Sequence, residues 1–233
     1  MLRRIAPFAL LLACSMLEAA PIKLVTGPDY APFADPALPN GGIATELVIA
    51  AFQQAGEQTA LEWRPWSNGY HATLKGEFVA TFPYMRTPER EKVFLYSEPL
   101  FDLKFYVFGH AGAALDGRNL ASLKGHRYCQ PLGWALLPAI DAMVKSGDLL
   151  IQRPNDMTAC LKLIAAGHSD FTITDKEQGL RSIAKSAKAQ SDIVPLGGQM
   201  DSLSLHLIVP RALPNGEEIL KRFNQGLQAV RAR

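Results

Sequence analysis

The segment ATFPYMRTPEREKVFLYSEP, residues 80–99, joins a buried strand to the start of a helix. The apolar and aromatic run Val79–Met85 is typical of a buried strand. Thr87 is a favourable N-cap, and Pro88 is favoured at the first helical position. Arg90 then lies in the first turn of that helix. Because free backbone N–H groups and a planar guanidinium meet here, the corner is predicted to bind a carboxylate or phosphate.

Strands and helices alternate on both sides of this corner, which predicts an α/β fold with parallel strands covered by helices. The residues remaining after an export signal fit two lobes of about 100 residues each. Tyr30, Arg90 and Asp175 each follow a predicted strand, where ligands bind in open α/β sheets. Trp66–Tyr70 is predicted to be a loop. The last predicted elements are strands Asp192–Pro195 and Leu203–Val209 and the terminal helix Asn215–Arg231.

Residues 1–20 have the pattern of an export signal rather than of a folded segment. Arg3 and Arg4 precede the apolar run Ile5–Cys14, and small residues follow at Ala19 and Ala20. This run is too short to span a bilayer, so we expect a periplasmic protein. A lipid attached at Cys14 is an alternative fate of the same segment.

Composition and motifs exclude several classes of function. A formal charge of +2 over 233 residues, without a basic stripe, argues against a nucleic-acid partner. Cys129 and Cys160 remain after export and are candidates for a disulfide, with two buried free thiols as the alternative. Their spacing does not suit a metal site. The sequence carries no phosphate-loop, dinucleotide-binding or nucleophile-elbow motif, and we expect neither a cofactor nor catalysis.

Several short motifs in order resemble one known family. The chain is similar to the extracytoplasmic (periplasmic) solute-binding proteins of family 3, the type that serves amino-acid ABC transporters. The resemblance covers almost the whole mature chain. The matching motifs are Asp29-Tyr30-Ala31-Pro32-Phe33, Gly41-Gly42, Gly76-Glu77-Phe78, Thr87-Pro88-Glu89-Arg90, Tyr96-Ser97-Glu98-Pro99 and Gly167-His168-Ser169-Asp170.

The resemblance implies a two-lobed periplasmic-binding-protein-like fold of type II. Residues 21–107 and 199–233 would form lobe 1, and residues 108–198 would form lobe 2. Two hinge strands, near Leu103–Phe108 and Met200–Leu205, would join the lobes and let them close over a ligand in the cleft. The protein would be a monomer that delivers its ligand to a membrane ABC permease.

The resemblance also implies roles for individual residues. Arg90 would bind the α-carboxylate of an amino-acid-like ligand, and Asp175 would bind its α-ammonium group. Tyr30 and Trp66 would pack against the ligand. Such charge pairs are strong in a closed cleft because water is excluded.

The sequence departs from the family pattern at several places, one of them Val79, which stands where an aspartate is common. Met85 stands where the family usually has a small hydroxyl residue, and Gly133-Trp134-Ala135 stands where it usually has Gly-Thr-Thr or Gly-Ser-Thr. Backbone N–H groups near Ala135 could still bind a carboxylate. Tyr84 and Trp134 make the expected cleft more aromatic, which suits an apolar, aromatic or cationic side chain, or a ligand that is not a standard amino acid.

Other interpretations of the same residues stay open at this point. Arg90 could pair with Glu89 or Glu91 on a helix surface, and Asp175 could act only as a helix N-cap. An enzyme on the same scaffold, such as a dehydratase, would need a general acid, for which Asp29 and Asp175 are the candidates. A sensory module that docks to a membrane receptor is a third hypothesis.

Overall fold

The computed structural model describes residues 20–185 and 192–233. The predicted signal peptide, apart from Ala20, and the alternative lipid site Cys14 lie outside these residues. In the described part of the chain, no helix combines the length and the apolar character that crossing a bilayer requires.

The first βα series forms parallel strands around a buried centre. Its elements are β1 (Ile22–Thr26), α1 (Ile43–Gln54), β2 (Thr59–Trp63), α2 (Trp66–Leu74) and β3 (Ala80–Met85). Strand β1 lies parallel to both β2 and β3. Leu24, Val25 and Phe82 are fully buried in these strands. The apolar runs of the sequence predicted this burial.

A short helix and two strands follow β3. These are α3 (Pro88–Glu91), β4 (Phe94–Tyr96) and β5 (Phe101–His110). The second βα series then comprises β6 (Arg127–Cys129), α4 (Pro138–Lys145), β7 (Leu150–Gln152), α5 (Met157–Ala165), β8 (Phe171–Asp175) and α6 (Lys176–Ala184). Strand β6 lies parallel to β7 and β8. Both series therefore have the predicted parallel pairing.

The last two elements connect the two series. They are β9 (Ile193–Pro210) and α7 (Gly216–Arg231). Within the described residues the sheet has the order β2-β1-β3-β9-β5-β8-β6-β7, with β4 beside β9. Helix α7 packs on α1, and the Phe52 and Phe223 ring centroids are 4.9 Å apart. The antiparallel strands β5 and β9 thus run between the two sets of parallel strands.

The prediction of a loop at Trp66–Tyr70 is wrong, because α2 begins at Trp66. The run Ser-Asn-Gly favours a turn. However, the Trp66 ring is buried, and its Nε1 donates to the Pro28 carbonyl oxygen at 2.9 Å. A Cβ atom at Gly69 would lie 3.2 Å from the side chain of Val25, so the glycine lets α2 pack closely on β1. Tertiary packing outweighs local propensity here.

The two strands predicted at Asp192–Pro195 and Leu203–Val209 are a single strand, β9. Gly197, with φ +70°, interrupts the strand pattern in the sequence and indicates a break there. Strand β5 pairs with β9 on both sides of a register shift between Phe105 and Val107. Pairing with the long strand β5 therefore keeps β9 a single strand on both sides of Gly197.

Candidate functional site

The corner between β3 and α3 places Arg90 beside the end of a central strand. The Thr87 hydroxyl accepts a hydrogen bond from the Arg90 backbone N–H at 3.2 Å, and Pro88 begins the helix. The predicted N-cap is therefore confirmed. Because the cap defines where the helix begins, Arg90 lies in the first turn of α3, five residues after Met85, the last residue of β3.

The Arg90 guanidinium is held by carbonyl oxygens and aromatic rings. Its Nη1 donates to the Met85 oxygen at 3.1 Å, and its Nη2 donates to the Gly133 oxygen at 3.2 Å. The Arg90 Cζ lies 4.7 Å from the ring centroid of Tyr84 and 5.6 Å from that of Tyr70. These contacts orient the cation without neutralising it.

The alternative pairing of Arg90 with a neighbouring glutamate does not occur in the structure. Glu91 pairs instead with Arg86, at 3.0 Å. Across residues 20–185 and 192–233, no carboxylate oxygen lies within 4 Å of the Arg90 guanidinium. A partly buried cation without an acidic partner is an electrostatic site for an anion.

The guanidinium borders a cavity with a volume of about 50 Å³. Residues from both βα series line it, and most are aromatic or aliphatic. Seven of the eight predicted ligand-binding residues are among them: Tyr30, Trp66, Tyr84, Met85, Arg90, Trp134 and Ala135. The folded chain therefore brings together residues that are far apart in the sequence.

Aromatic rings from the two series meet at this cavity. The ring centroids of Tyr30 and Trp134 are 5.0 Å apart, and those of Trp66 and Trp134 are 6.5 Å apart in an edge-to-face arrangement. Trp66 also contacts Tyr84, with 5.8 Å between centroids. Burial raises the pKa of Tyr84 to about 12, against the opposing effect of the Arg90 charge. Tyr84 is therefore neutral at physiological pH, and the walls are apolar surfaces with few polar atoms.

Sequence reasoning missed several lining residues. Among them are Phe105, Tyr128, Gln130, Leu137, Ile173 and Leu205. Tyr128 and Gln130 lie two residues apart at the carboxyl end of β6, so they point to the same side of the sheet. That alternation, at the edge of a parallel sheet, is the signal that could have identified them.

Asp175 is the predicted site residue that does not line the cavity. It ends β8 and caps α6, where its Oδ1 accepts a hydrogen bond from the Gln178 N–H at 3.0 Å. Its exposed fraction is 3%. Burial raises the pKa of Asp175, whereas hydrogen bonds from Gln178 and Tyr30 oppose this shift. Its role as a cap is established by this geometry, and its role toward a ligand stays a prediction.

The Tyr30 hydroxyl lies near the Asp175 carboxylate. Burial, followed by this nearby negative charge, raises the pKa of Tyr30. Among the described residues, Asp175 Oδ2 has no hydrogen bond of standard length and angle. The Tyr30 hydroxyl is therefore near this oxygen without forming a standard hydrogen bond to it. Tyr30 therefore contacts both the cavity and the buried acid.

Polar contacts at the edge of the site also join the two series. Asp29 Oδ2 accepts a hydrogen bond from the Met157 N–H at 3.2 Å, and the Asp29 carbonyl oxygen accepts one from Gln178 Nε2 at 3.0 Å. Lys185 Nζ forms an ion pair with Asp35 Oδ2 at 3.2 Å. Burial raises the pKa of Asp29. These contacts hold the loop after β1 against the N-terminus of α5 and against both ends of α6.

A disulfide joins Cys129, the last residue of β6, to Cys160 in α5. Both cysteines are fully buried. The bond lies directly before Gln130, so it supports the part of β6 that reaches the cavity. The described residues contain no cluster of three or more side chains suited to holding a metal ion.

Comparison with known proteins shows the fold. No family model matches the chain, and no curated protein matches it. A histidine kinase sensor domain with similarity to periplasmic binding proteins is 19% identical over 92% of each chain, with a TM-score of 0.78. An ancestral arginine-binding protein bound to arginine is 17% identical, covering 92% of this chain and 94% of that one, with a TM-score of 0.78.

A third similar structure is the GluR0 ligand-binding core from Nostoc punctiforme in complex with L-glutamate. It is 18% identical, covers 91% of this chain and 93% of that one, and has a TM-score of 0.73. Together with the mixed sheet and its flanking helices, these similarities confirm the expected two-lobed fold of the periplasmic-binding-protein type.

Proposed function

We propose that this chain is an extracytoplasmic solute-binding protein that captures a small carboxylate-bearing molecule between two lobes. The observation that carries the proposal is Arg90, a cation at the cavity that has no acidic partner among the described residues. Closure of the lobes removes water from the guanidinium, which strengthens its attraction for an anion. Its planar N–H groups suit the two oxygens of a carboxylate.

The two lobes of the proposal have the boundaries predicted from the sequence. Lobe 1 comprises residues 21–107 and 199–233, and lobe 2 comprises residues 108–198. The hinges lie near Leu103–Phe108 and Met200–Leu205. The register shift in the β5–β9 pairing supports this placement because it interrupts the ladder between Phe105 and Val107. Hinges are short segments that absorb a change in backbone angles.

We further propose that the protein works in the periplasm as a monomer, after removal of residues 1–20 or lipid attachment at Cys14. An ABC permease in the membrane would accept the ligand. The amino-acid-binding proteins among the similar structures support this role. An enzymatic role has less support, because neither Asp29 nor Asp175, the two candidate general acids, lines the cavity.

Ligand sensing is the second candidate function. The similarity to a histidine kinase sensor domain favours it. Both functions use the same capture step, so they differ in the partner rather than in the site. Crosslinking in the native cell envelope separates them, since capture of a permease supports transport and capture of a receptor supports sensing.

Substitution of Arg90 tests the capture step. We expect Arg90→Ala to weaken carboxylate binding by more than about 30-fold, since truncating one member of a buried charge pair costs about 2–5 kcal/mol. The free energy of unfolding should fall by less than about 1 kcal/mol, because the Arg90 side chain is only partly buried. Calorimetric titration with a panel of small carboxylates and amino acids, alongside chemical denaturation, measures both quantities.

Arg86→Ala is the matched control. Arg86 is a nearby arginine that pairs with Glu91 and lies over the ring of Tyr96. The Arg86 side chain is 52% exposed, so truncating it to alanine should leave the affinity for carboxylates nearly unchanged. Equal affinity in the Arg90→Ala variant and the wild type would contradict the proposal.

A further inference from the structure

Arg90 determines the charge of the cavity wall. Among the described residues that line the cavity, the remaining side chains are aromatic, aliphatic or neutral and polar. The carboxylates of Asp29 and Asp175 are not part of this lining. The described wall therefore carries one positive charge and no negative charge near neutral pH.

The neutral polar side chains of the wall are already bonded within the protein. The Tyr128 hydroxyl donates to Gln130 Oε1 at 2.6 Å, and Gln130 Nε2 donates to the Ala135 carbonyl oxygen at 3.0 Å. The Tyr84 hydroxyl donates to the Trp66 carbonyl oxygen at 3.3 Å. An ammonium group here would have no charged partner in this wall and would be repelled by the guanidinium. Burial of an unpaired cation is strongly unfavourable.

Tyr30 links the cavity to the acid that could have met such an ammonium group. It lines the cavity and lies near the Asp175 side chain, whose Oδ2 has no hydrogen-bond partner among the described residues. The ring is enclosed by three others, with centroid distances of 5.0 Å to Trp134, 5.1 Å to Phe33 and 6.1 Å to Trp66. This packing holds the Tyr30 side chain in place, so Asp175 stays covered from the cavity.

We propose that the ligand of this cavity is a small monocarboxylate without an ammonium group, and that the packed Tyr30 side chain separates Asp175 from the ligand. This inference rests on the proposed function, because it takes Arg90 as the carboxylate site. It differs from the ammonium-binding role of Asp175 that the family resemblance implies. Tyr30 is thus a determinant of specificity.

The size and the walls of the cavity narrow the chemical class of the ligand further. The cavity volume of about 50 Å³ is small for a ligand site. Aromatic and aliphatic walls on most sides favour a short apolar chain or a small ring attached to the carboxylate. Arg90 at one end orients such a molecule with its carboxylate toward the β3–α3 corner.

Matched ligand pairs test the proposal on the wild-type mature protein. Each pair has the same carbon skeleton with and without the amino group: propanoate and alanine, butanoate and 2-aminobutanoate, 3-methylbutanoate and valine, 3-phenylpropanoate and phenylalanine. By calorimetric titration, we expect at least one ammonium-free member to bind and its amino partner to bind at least about 30-fold more weakly.

The outcomes distinguish this inference from the proposed function. If amino acids bind as tightly as their ammonium-free partners, or more tightly, and Arg90→Ala abolishes that binding, the inference is overturned while the proposed function stands. If no member of any pair binds, the inference and the assignment of Arg90 as a carboxylate site both fail. A 30-fold preference for the ammonium-free member that is lost in Arg90→Ala supports both.

Substitution of Tyr30 tests its part in this specificity. Tyr30→Ala uncovers Asp175, so the affinity ratio of amino acid to ammonium-free acid should rise by at least about 10-fold. The gain should vanish in the double variant Tyr30→Ala/Asp175→Asn. Tyr84→Ala is the control, because it removes another aromatic wall and should weaken both members of a pair equally. An unchanged ratio in folded Tyr30→Ala would overturn the role of Tyr30, and the wild-type pairs decide the ligand class if that variant does not fold.

Discussion

At Gly133 the backbone of the second βα series lies close to the backbone of the first. The φ angle of Gly133 is +85°, and a Cβ atom there would lie 2.8 Å from the Ser67 backbone nitrogen. Its carbonyl oxygen also accepts the hydrogen bond from Arg90 Nη2. The absence of a side chain therefore permits both the backbone conformation and the contact across the cleft.

We expect Gly133→Ala to impair closure of the two lobes over the ligand. The added methyl group would collide with backbone rather than with a flexible side chain, so affinity for the ligand should fall by about 10-fold or more. Gly112→Ala is the matched control, because Gly112 has φ +83° and nothing within 4 Å of its Cβ position. Both variants share the cost of the left-handed conformation, about 1 kcal/mol.

Titration calorimetry and denaturation of both glycine variants separate the two effects. Similar losses of stability, together with a loss of affinity in the Gly133→Ala variant alone, are the expected result. Equal affinities in the two variants would show that the approach of Gly133 to Ser67 has no part in binding.

Among the secondary-structure elements, the disulfide between β6 and α5 has the clearest consequence for stability. Cys129 and Cys160 are 31 residues apart, and the bond limits the freedom of that loop in the unfolded chain. By the chain-entropy relation, a disulfide that closes a loop of this length raises the free energy of unfolding by about 3–4 kcal/mol. The stabilised segment includes β7 and the start of α5, and the Asp29 side chain contacts the first residue of α5, Met157.

We therefore expect the variant Cys129→Ala/Cys160→Ala to lose about 3–4 kcal/mol of unfolding free energy, plus a smaller packing loss. Denaturation of the reduced wild type isolates the crosslink, since its thiols keep the packing. Thiol labelling of denatured, unreduced protein should modify neither cysteine. Prompt labelling without reductant would contradict the presence of the bond in the exported protein.

At the scale of the whole molecule, residues of both βα series line one cavity. Lys185 and Asp35 form an ion pair across the edge of the site, and the Asp29 carboxylate accepts a hydrogen bond from the Met157 N–H at the start of α5. These contacts join the loop after β1 to α5 and to the end of α6, which belong to the other βα series. A ligand that bridges the lobes adds its binding energy to the closed arrangement.

We expect a saturating ligand, at 100 times its dissociation constant, to stabilise the protein by about 2.7 kcal/mol. For a chain of this size, that corresponds to a rise in melting temperature of roughly 5–10 °C. The radius of gyration from small-angle scattering should decrease on the same titration. A higher melting temperature without compaction would indicate binding without closure, and Arg90→Ala is the control that should show neither change.

Local patterns account for most of the elements and for part of the site. The alternation of strands and helices, the Thr87 cap and the position of Arg90 depend on residues that are near one another in the chain. The failures at Trp66 and in β9 have a common cause. In both places, contacts with distant strands outweigh the turn preference of the local residues. Strand β1 makes these contacts with α2 at Trp66–Gly69, and β5 makes them with β9.

From the linear chain alone, most of the elements and the presence of a cation at the β3–α3 corner were already determined, because capping and periodicity act over a few residues. Tertiary structure decided what surrounds that cation. Arg90 and Gly133 are 43 residues apart and meet through a hydrogen bond, and Tyr30 lies near Asp175 although 145 positions separate them. Such encounters depend on how the whole sheet is packed, which no short stretch of sequence encodes.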